Sequence, residues 1–569
     1  MKRILNILPI AVALLAVSCG EDFLDRKNLY QKSNESYYAN PEDIAEALTG
    51  TYACIPIDQG ANNPILIANL MADYCFGGGG PNDLLFQDIS AFTNLAGEDL
   101  YIHIWRLNYQ GILRANLIID RFDQVDYSTL KIPEAEWQAR RNQDLGEAHF
   151  LRAFFYFRLA QLFGNVPLIT KPVPVNYPKA SADEIYAQIA SDLKMAIELM
   201  EPVKIPLPAN QIARLGHATK WAAQGLMARA FLFYTGYYAK TSMPLTDGGE
   251  ITKEQVIAWL DDCIANSGHD LISDFRNLWP YSYATKANNQ DSSYYPFADV
   301  NNLNWIGEEG ANIENVFAIQ YSPYGDWNLP GKLSYSNQLT LYMALRGQNN
   351  LIPFGTGWGG GPVNPQLWNS WPDNDLRKRG SIVDVTDPME GNVSTDYIWG
   401  VWECMHETGL WQKKYTPIQV KTPDAIKGMY FVMYGNPDNF QLWNMQDEYL
   451  IRFADILLMA AELGGPNAQS YLDRVRQRAG LPSVTATLEN IKKERTYELA
   501  FEGLRYYDLL RWGDAQEAFA KVKDVPVKNN NLDETYTITF RPETGGFLPI
   551  PESEIRLSAG VLTQNPGWE

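Results

Sequence analysis

Glu498 and Glu502 stand four residues apart in "ERTYELAFEGLRYYDLLRWG" (494–513). On one helix face, that spacing would offer two carboxylates to a single substrate. Glycosidic hydrolysis uses such a pair, with one member acting as a general acid whose pKa is raised. The neighbours argue for another role. Arg495, Arg505 and Arg511 fall about a turn away, and adjacent cations keep carboxylates ionised. Two acids on one helix also leave little room for a sugar ring between them. The segment therefore reads as an Arg/Glu/Asp network that pins the last helix pair. Asp373 and Asp375 in "WPDNDLRKRG" (371–380) lack further ligands at set spacing and read as a solvated turn rather than a calcium loop. The sequence holds no GxSxG elbow, HExxH, phosphate loop or dinucleotide fingerprint. His103, His149, His217, His269 and His406 stand apart from one another and read as packed or surface residues. No catalytic residue, metal or cofactor is expected.

Binding chemistry is better supplied. Ten of the 16 tryptophans fall between 270 and 445, under a third of the chain. A sugar ring presents an apolar face of C–H bonds and a rim of hydroxyls, so its receptor needs flat aromatic platforms flanked by carboxylate, amide or guanidinium groups. An extended peptide would instead be held through main-chain hydrogen bonds and would not require stacked tryptophans.

The elements that must position these rings are mainly helical. Pro133 precedes a segment in which Leu145, Ala148, Leu151, Phe155, Leu159 and Leu162 recur at three- and four-residue steps up to Gly164, predicting a helix with one apolar stripe. Ser181 with Glu184 makes a capping box for a second helix bearing Ile185, Ile189, Leu193 and Met200. A further pair follows. Ala222, Gly225 and Ala228 are spaced for close helix contact within 214–239, and Thr252 with Gln255 caps a helix ending near Gly268. Segments 447–479 and 486–511 predict another pair, and 41–53 with 99–122 one more. Paired helices at roughly 34-residue spacing suggest tetratricopeptide-like stacking, with irregular intervals. Residues 270–445 are instead rich in Gly, Pro, Asn and aromatics, with short apolar runs such as "VFAIQY" (316–321) and "YFVMY" (430–434) that predict strands. The expected fold is mainly α: stacked helix pairs over about 40–270 and 445–520, a large loop-rich lobe with a few short strands over about 270–445, and a C-terminal segment, 521–569.

Charge and address narrow the partners. The formal net charge is −20 and becomes −22 without residues 1–18, which carry Lys2 and Arg3 and no acid. Nucleic acid is a poor partner for such a surface. Lys2 and Arg3 precede an apolar stretch, Ile4–Val17, that is short of the about 20 residues a membrane-spanning helix needs and reads as a cleaved secretory signal. "AVSC" (16–19) resembles a bacterial lipobox, in which Cys19 is acylated and becomes the first mature residue. Export permits disulfides, and Cys54 with Cys75 is one conceivable pair. Scattered core thiols are the expected state of Cys54, Cys75, Cys263 and Cys404.

Six segments then resemble, in order, the successive signatures of the SusD/RagB family of surface nutrient-binding lipoproteins. They are "YFRLAQLFGNVPLIT" (156–170), "ARLGHATKWAAQGLMARAFLF" (213–233), "RFADILLMAAEL" (452–463), "VRQRAGL" (475–481), the 494–513 segment, and "LPIPESEI" through "LTQNPGW" (548–568). The resemblance implies a tetratricopeptide-like scaffold and a non-catalytic, surface-exposed glycan-binding lipoprotein of the outer membrane. It also implies a SusC-like TonB-dependent transporter that this protein covers and supplies with oligosaccharide. Ligand contacts are implied in two regions, about 71–88 and 279–330. Here these offer Asp73, Tyr74, Asn82 and Asp83 beside four glycines, and Trp279, Tyr281, Tyr283, Tyr294, Tyr295, Trp305, Tyr324 and Trp327. If extended, Tyr281 and Tyr283, or Tyr294 and Tyr295, point to opposite sides, so one of each pair is expected outside the core. The acidic charge favours neutral sugars over uronates. A peptide-binding RagB-like receptor is the alternative, and a glycoside hydrolase the less favoured one.

Overall fold

The computed structural model describes residues 37–56, 62–171, 173–208, 211, 214–288, 294–307, 312–322, 336–349, 351–435, 439–442 and 444–568. The expected secretory signal (residues 1–18), Cys19, Tyr324 and Trp327 lie outside the described residues.

The helices come in antiparallel pairs, and their ends are set locally. α1 (Pro41–Tyr52) is capped by Asn40 and packs on α4 (Ile102–Arg121); the short α2 (Pro64–Leu70) and α3 (Leu84–Ala91) lie between them in sequence. α5 (Glu134–Phe163) is the longest helix and packs on both α4 and α6 (Ala182–Leu199). Both expected capping boxes form: Ser181 with Glu184 starts α6, and Thr252 with Gln255 starts α8 (Lys253–Asn266). α7 (Lys220–Tyr237) is sunk in the middle of the stack. A Cβ added to Gly225 would lie 2.7 Å from Ile456 Cδ1, so the small residues of this helix do permit close approach to its neighbour.

Two expected helices are each divided. Residues 448–452 are a strand, followed by α9 (Phe453–Leu463) and α10 (Ala468–Arg478). The last pair is α11 (Leu488–Glu498) and α12 (Arg505–Trp512). Between them the chain turns at Phe501, whose φ of 67° is left-handed. Glu498 closes α11 and Glu502 sits in the turn, so the two carboxylates do not share a helix face.

In the lobe, strands are short and pair two by two. β1 (Asn315–Ile319), carried by the "VFAIQY" run, is antiparallel to β6 (Glu448–Arg452) and joins the lobe to the scaffold. β2 (Ile382–Asp384) pairs with β3 (Leu410–Gln412) and β4 (Gln419–Lys421) with β5 (Ile426–Gly428), and in the C-terminal segment β7 (Val525–Asn529) pairs with β8 (Leu532–Tyr536). "YFVMY" is not a strand: Met429–Tyr434 forms a short helix stopped at Gly435. Cys54, Cys75, Cys263 and Cys404 are buried free thiols, as their scatter implied.

A buried ionic network holds lobe and scaffold together. Glu498 accepts from Arg377 at 3.0 Å and from Arg452 at 3.1 Å, and also bonds Arg478. Glu502 accepts from Lys414 at 2.7 Å and from Arg452 at 2.7 and 2.8 Å. Burial alone would raise the Glu498 carboxyl, but Arg478, Arg452 and Arg377 outweigh it and bring it down to about 2. Both glutamates are therefore committed to structural pairs, and Glu498 is held ionised. Asp375 is buried rather than solvated: it caps the Leu376–Ser381 helix and pairs with Arg377, while exposed Asp373 reaches Lys378.

Candidate ligand-binding site

Two glycine tracts build the site's floor. Gly77–Gly80 and Gly359–Gly361 run side by side: Gly79 N donates to Gly359 O at 2.8 Å, Gly361 N to Gly77 O at 3.2 Å, and Phe76 N to Pro362 O at 2.9 Å. Gly78 has φ +66°, and a Cβ there would fall 2.1 Å from Gly359 O, a contact no side chain survives. The loop at 400–406 locks onto the same floor, since Met405 N donates to Gly79 O at 2.9 Å and Gly78 N to His406 Nδ1 at 3.2 Å.

Arg346 fastens these segments to one another. Its Nη1 lies 3.2 Å from Asp83 Oδ2 and donates to Trp358 O at 2.9 Å, while its Nε donates to Trp402 O at 2.9 Å. Asp83 Oδ2 also accepts from Gly80 N at 2.7 Å, closing the loop on itself. Above this frame stand three rings. Trp402 and Trp358 have centroids 6.1 Å apart at an interplanar angle of 38°, and Phe440 lies 5.8 Å from Trp358. Trp402 is 43% exposed although it is a large aromatic, and its φ of 51° is left-handed, a costly conformation for a non-glycine residue. Ile398 and Leu84 are exposed close by in sequence, and Asn82 is exposed beside Asp83. The arrangement offers a tilted indole pair for an apolar face, with an amide, a carboxylate and a guanidinium at hand for hydroxyls.

The residues singled out in the sequence divide sharply. Asn82 and Asp83 lie at this frame. Asp73 instead pairs with Arg505 at 2.7 Å, and Tyr74 is buried, its hydroxyl accepting from Phe501 N at 3.1 Å. Trp279 is wholly buried, edge-on to Tyr415 and Tyr449, with the Lys414 ammonium 5.0 Å from its ring centroid. Tyr281 is buried and donates to Gly380 O at 2.8 Å. Tyr295 is buried, bonded to Glu390 and accepting from Lys413 Nζ at 2.7 Å. Trp305 is nearly covered by Tyr283 and Tyr430. As surface platforms, Tyr74, Trp279, Tyr281, Tyr295 and Trp305 are corrected: each ring is buried in the protein's own core, and the hydroxyls of Tyr74, Tyr281 and Tyr295 are spent on the protein. Tyr283 and Tyr294 are the outward members of their pairs, both part-exposed, with Lys286 Nζ 4.3 Å from the Tyr294 centroid.

Trp358, Trp402, Arg346 and Phe440 were missed. One signal for them was present: "FGGGGP" (76–81) and "WGGGP" (358–362) repeat the same aromatic, glycine and proline order.

Comparison with known proteins gives two family matches, one described as "SusD family" over residues 350–568 and one as "Starch-binding associating with outer membrane" over residues 22–232. The chain is similar to SusD-like protein P38 of Formosa agariphila, 34% identical over 456 residues that span 74% of this chain and 73% of that protein. It is similar to a SusD-like protein of Bacteroides ovatus, 23% identical over 530 residues, 88% and 81% of the two chains. Among solved structures, surface glycan-binding protein A from Bacteroides fluxus superposes with a TM-score of 0.70 at 26% identity, covering 92% of this chain and 99% of that one. The protein of the same name from Bacteroides thetaiotaomicron, in complex with laminarihexaose, gives a TM-score of 0.70 at 22% identity over 92% and 99% of the chains, a likeness of fold.

Proposed function

This chain belongs to the SusD family, and from that premise we propose that it is a non-catalytic receptor for neutral oligosaccharide. In this reading Cys19 tethers it by lipid to the outer membrane, facing outward, and it hands its ligand to a SusC-like TonB-dependent transporter. The observation that carries the binding role is the Trp358 and Trp402 pair over the interlocked glycine loops, with Trp402 exposed from a left-handed backbone. Exposing an indole costs burial energy, and a left-handed tryptophan costs more, so the fold retains both against its own stability. The names of relatives support the ligand class, since one is a surface glycan-binding protein and another was solved with laminarihexaose. Glu498 and Glu502 are each tied to cations, which supports a holder rather than a hydrolase at that segment.

The test is an affinity-gel and calorimetric screen of purified protein against neutral and acidic polysaccharides, repeated with Trp402→Ala. Binding to a neutral glycan that the substitution removes supports the proposal. Release of reducing ends, or tight binding of peptides untouched by the substitution, would reject it.

A further inference from the structure

The C-terminal hairpin β7–β8 is built into the loop that carries Trp402. Glu407 and Lys528 form an antiparallel bridge, with Glu407 N donating to Lys528 O at 2.9 Å and Lys528 N to Glu407 O at 2.7 Å. Asn530 N donates to Cys404 O at 2.8 Å, and Asn529 Oδ1 accepts from His406 N at 2.7 Å. The same His406 accepts from Gly78 N at 3.2 Å, so one residue ties the hairpin to the glycine floor. Gly400, with φ +73°, lets the hairpin's tip come close: a Cβ there would fall 2.8 Å from Asn531 N and 2.9 Å from Asn530 C. Trp402 follows Gly400 by two residues, a span of at most about 7 Å. The tip therefore lies beside the backbone from which the exposed indole projects.

The residues at that tip are not the ones a turn alone would favour. Asn529 pairs with Leu532, which leaves Asn530 and Asn531 as a two-residue loop with φ of 48° and 62°. Left-handed backbone at both positions is least strained with glycine, above all at the second. A second asparagine there adds an amide rather than stability. Both residues are exposed, and neither side-chain amide has a hydrogen-bond partner among the described residues. Other polar groups of the frame are already committed: Asp83 to Arg346 and Gly80 N, and the Asn529 carbonyl oxygen to His406 N. Two free amides supply N–H donors and carbonyl acceptors together. That is the set a rim of sugar hydroxyls takes, with no charge that would call for an ionic ligand.

Resting on the receptor reading above, we propose that Asn530 and Asn531 form a second subsite, which binds the hydroxyls of a neutral sugar unit farther along the chain from the unit stacked on Trp402. The indoles grip the apolar face of one ring, and the turn supplies hydrogen bonds to another. Because the turn is fixed at both ends by main-chain bonds to 404–407 and by the close approach of Gly400, its amides are ordered before the sugar arrives and lose little freedom on binding. Chain length then sets affinity. A disaccharide seated on the indoles gains nothing from the turn, whereas a hexasaccharide reaches both.

The test is calorimetric titration with matched di- and hexasaccharides of β-1,3-glucan, α-1,4-glucan, β-1,4-mannan and β-1,4-xylan. It compares the protein with the double variant Asn530→Gly, Asn531→Gly, which removes both amides and suits the left-handed turn. The variant should bind the preferred hexasaccharide about tenfold more weakly, the scale of one or two lost hydrogen bonds. Its disaccharide affinity and its thermal midpoint should not change. An unchanged hexasaccharide affinity, or an equal loss at both lengths, would overturn the subsite. Trp402→Ala separates this from the receptor reading. If it weakens both lengths while the glycine variant weakens neither, the receptor stands and the subsite falls. If no hexasaccharide binds the unsubstituted protein, the receptor reading falls and takes the subsite with it.

Discussion

The Nε of Arg346 donates to the carbonyl of Trp402 at 2.9 Å, and that bond presents the most exposed tryptophan among the described residues from a left-handed backbone. The same guanidinium reaches Asp83 and the Trp358 carbonyl. The site is thus an assembly of loops distant in sequence, and its parts can be separated by substitution.

Trp402→Ala is expected to weaken oligosaccharide binding by about 2 kcal/mol, roughly thirtyfold, the scale of an aromatic anchor. Because the ring is largely outside the core, the thermal midpoint should hardly move. Isothermal calorimetry with the best polysaccharide, alongside thermal melting, checks both halves.

Trp279→Ala should do the reverse. The ring is wholly buried beneath Lys414 and Arg452, so truncation leaves a cavity and costs about 3–5 kcal/mol of stability. Denaturant unfolding will show that loss, and protein that remains folded should bind sugar with near-normal affinity. Normal stability with lost binding would return Trp279 to the ligand site.

Gly78→Ala meets Gly359 O and an unfavourable φ together, so the two tracts must part. Expected outcomes are a destabilisation of about 1–3 kcal/mol and weaker glycan binding, because Trp358 follows the displaced tract. Gly97→Ala, where nothing lies near the added carbon, serves as the control in the same melts.

Acid should loosen the joint between lobe and scaffold. Glu498 and Asp455 are both held down to about 2 in the folded protein; burial opposes this, but Arg478, Arg452 and Arg377 overcome it for Glu498, and Arg495 and Arg229 for Asp455. Carboxylates so depressed give stability that is complete above about pH 5 and is lost as pH falls through about 4 toward 2. Urea midpoints measured from pH 7 to 3 should fall accordingly. Glu498→Gln should lower the pH 7 midpoint and flatten that slope; leaving buried Arg478 and Arg452 short of a carboxylate costs about 3–5 kcal/mol.

Local signals carried much of the fold. Capping boxes at Ser181 and Thr252 and the apolar stripe ending at Gly164 needed only neighbours within a turn or two, and they appear where the sequence put them. Strand β6 and the turn at Phe501 did not announce themselves. The first is a strand because it pairs with β1, some 130 residues earlier, and the second because the chain must redirect α12 onto its packing partners. "YFVMY" has β-rich composition yet coils into a short helix packed on the strand that precedes it.

By itself, then, the sequence determined the helix pairs, the acidic charge and the family, because each depends on residue type and short spacing; the cations that hold Glu498 and Glu502, namely Arg377, Lys414, Arg452 and Arg478, come from other segments. Only the tertiary structure decided which rings face water. Trp279 and Trp402 are the same residue in the same aromatic-rich lobe, and one closes a core while the other stands clear of it. That outcome depends on which distant loops arrive beside each ring, and on an arginine at 346 that holds Asp83, Trp358 and Trp402 together.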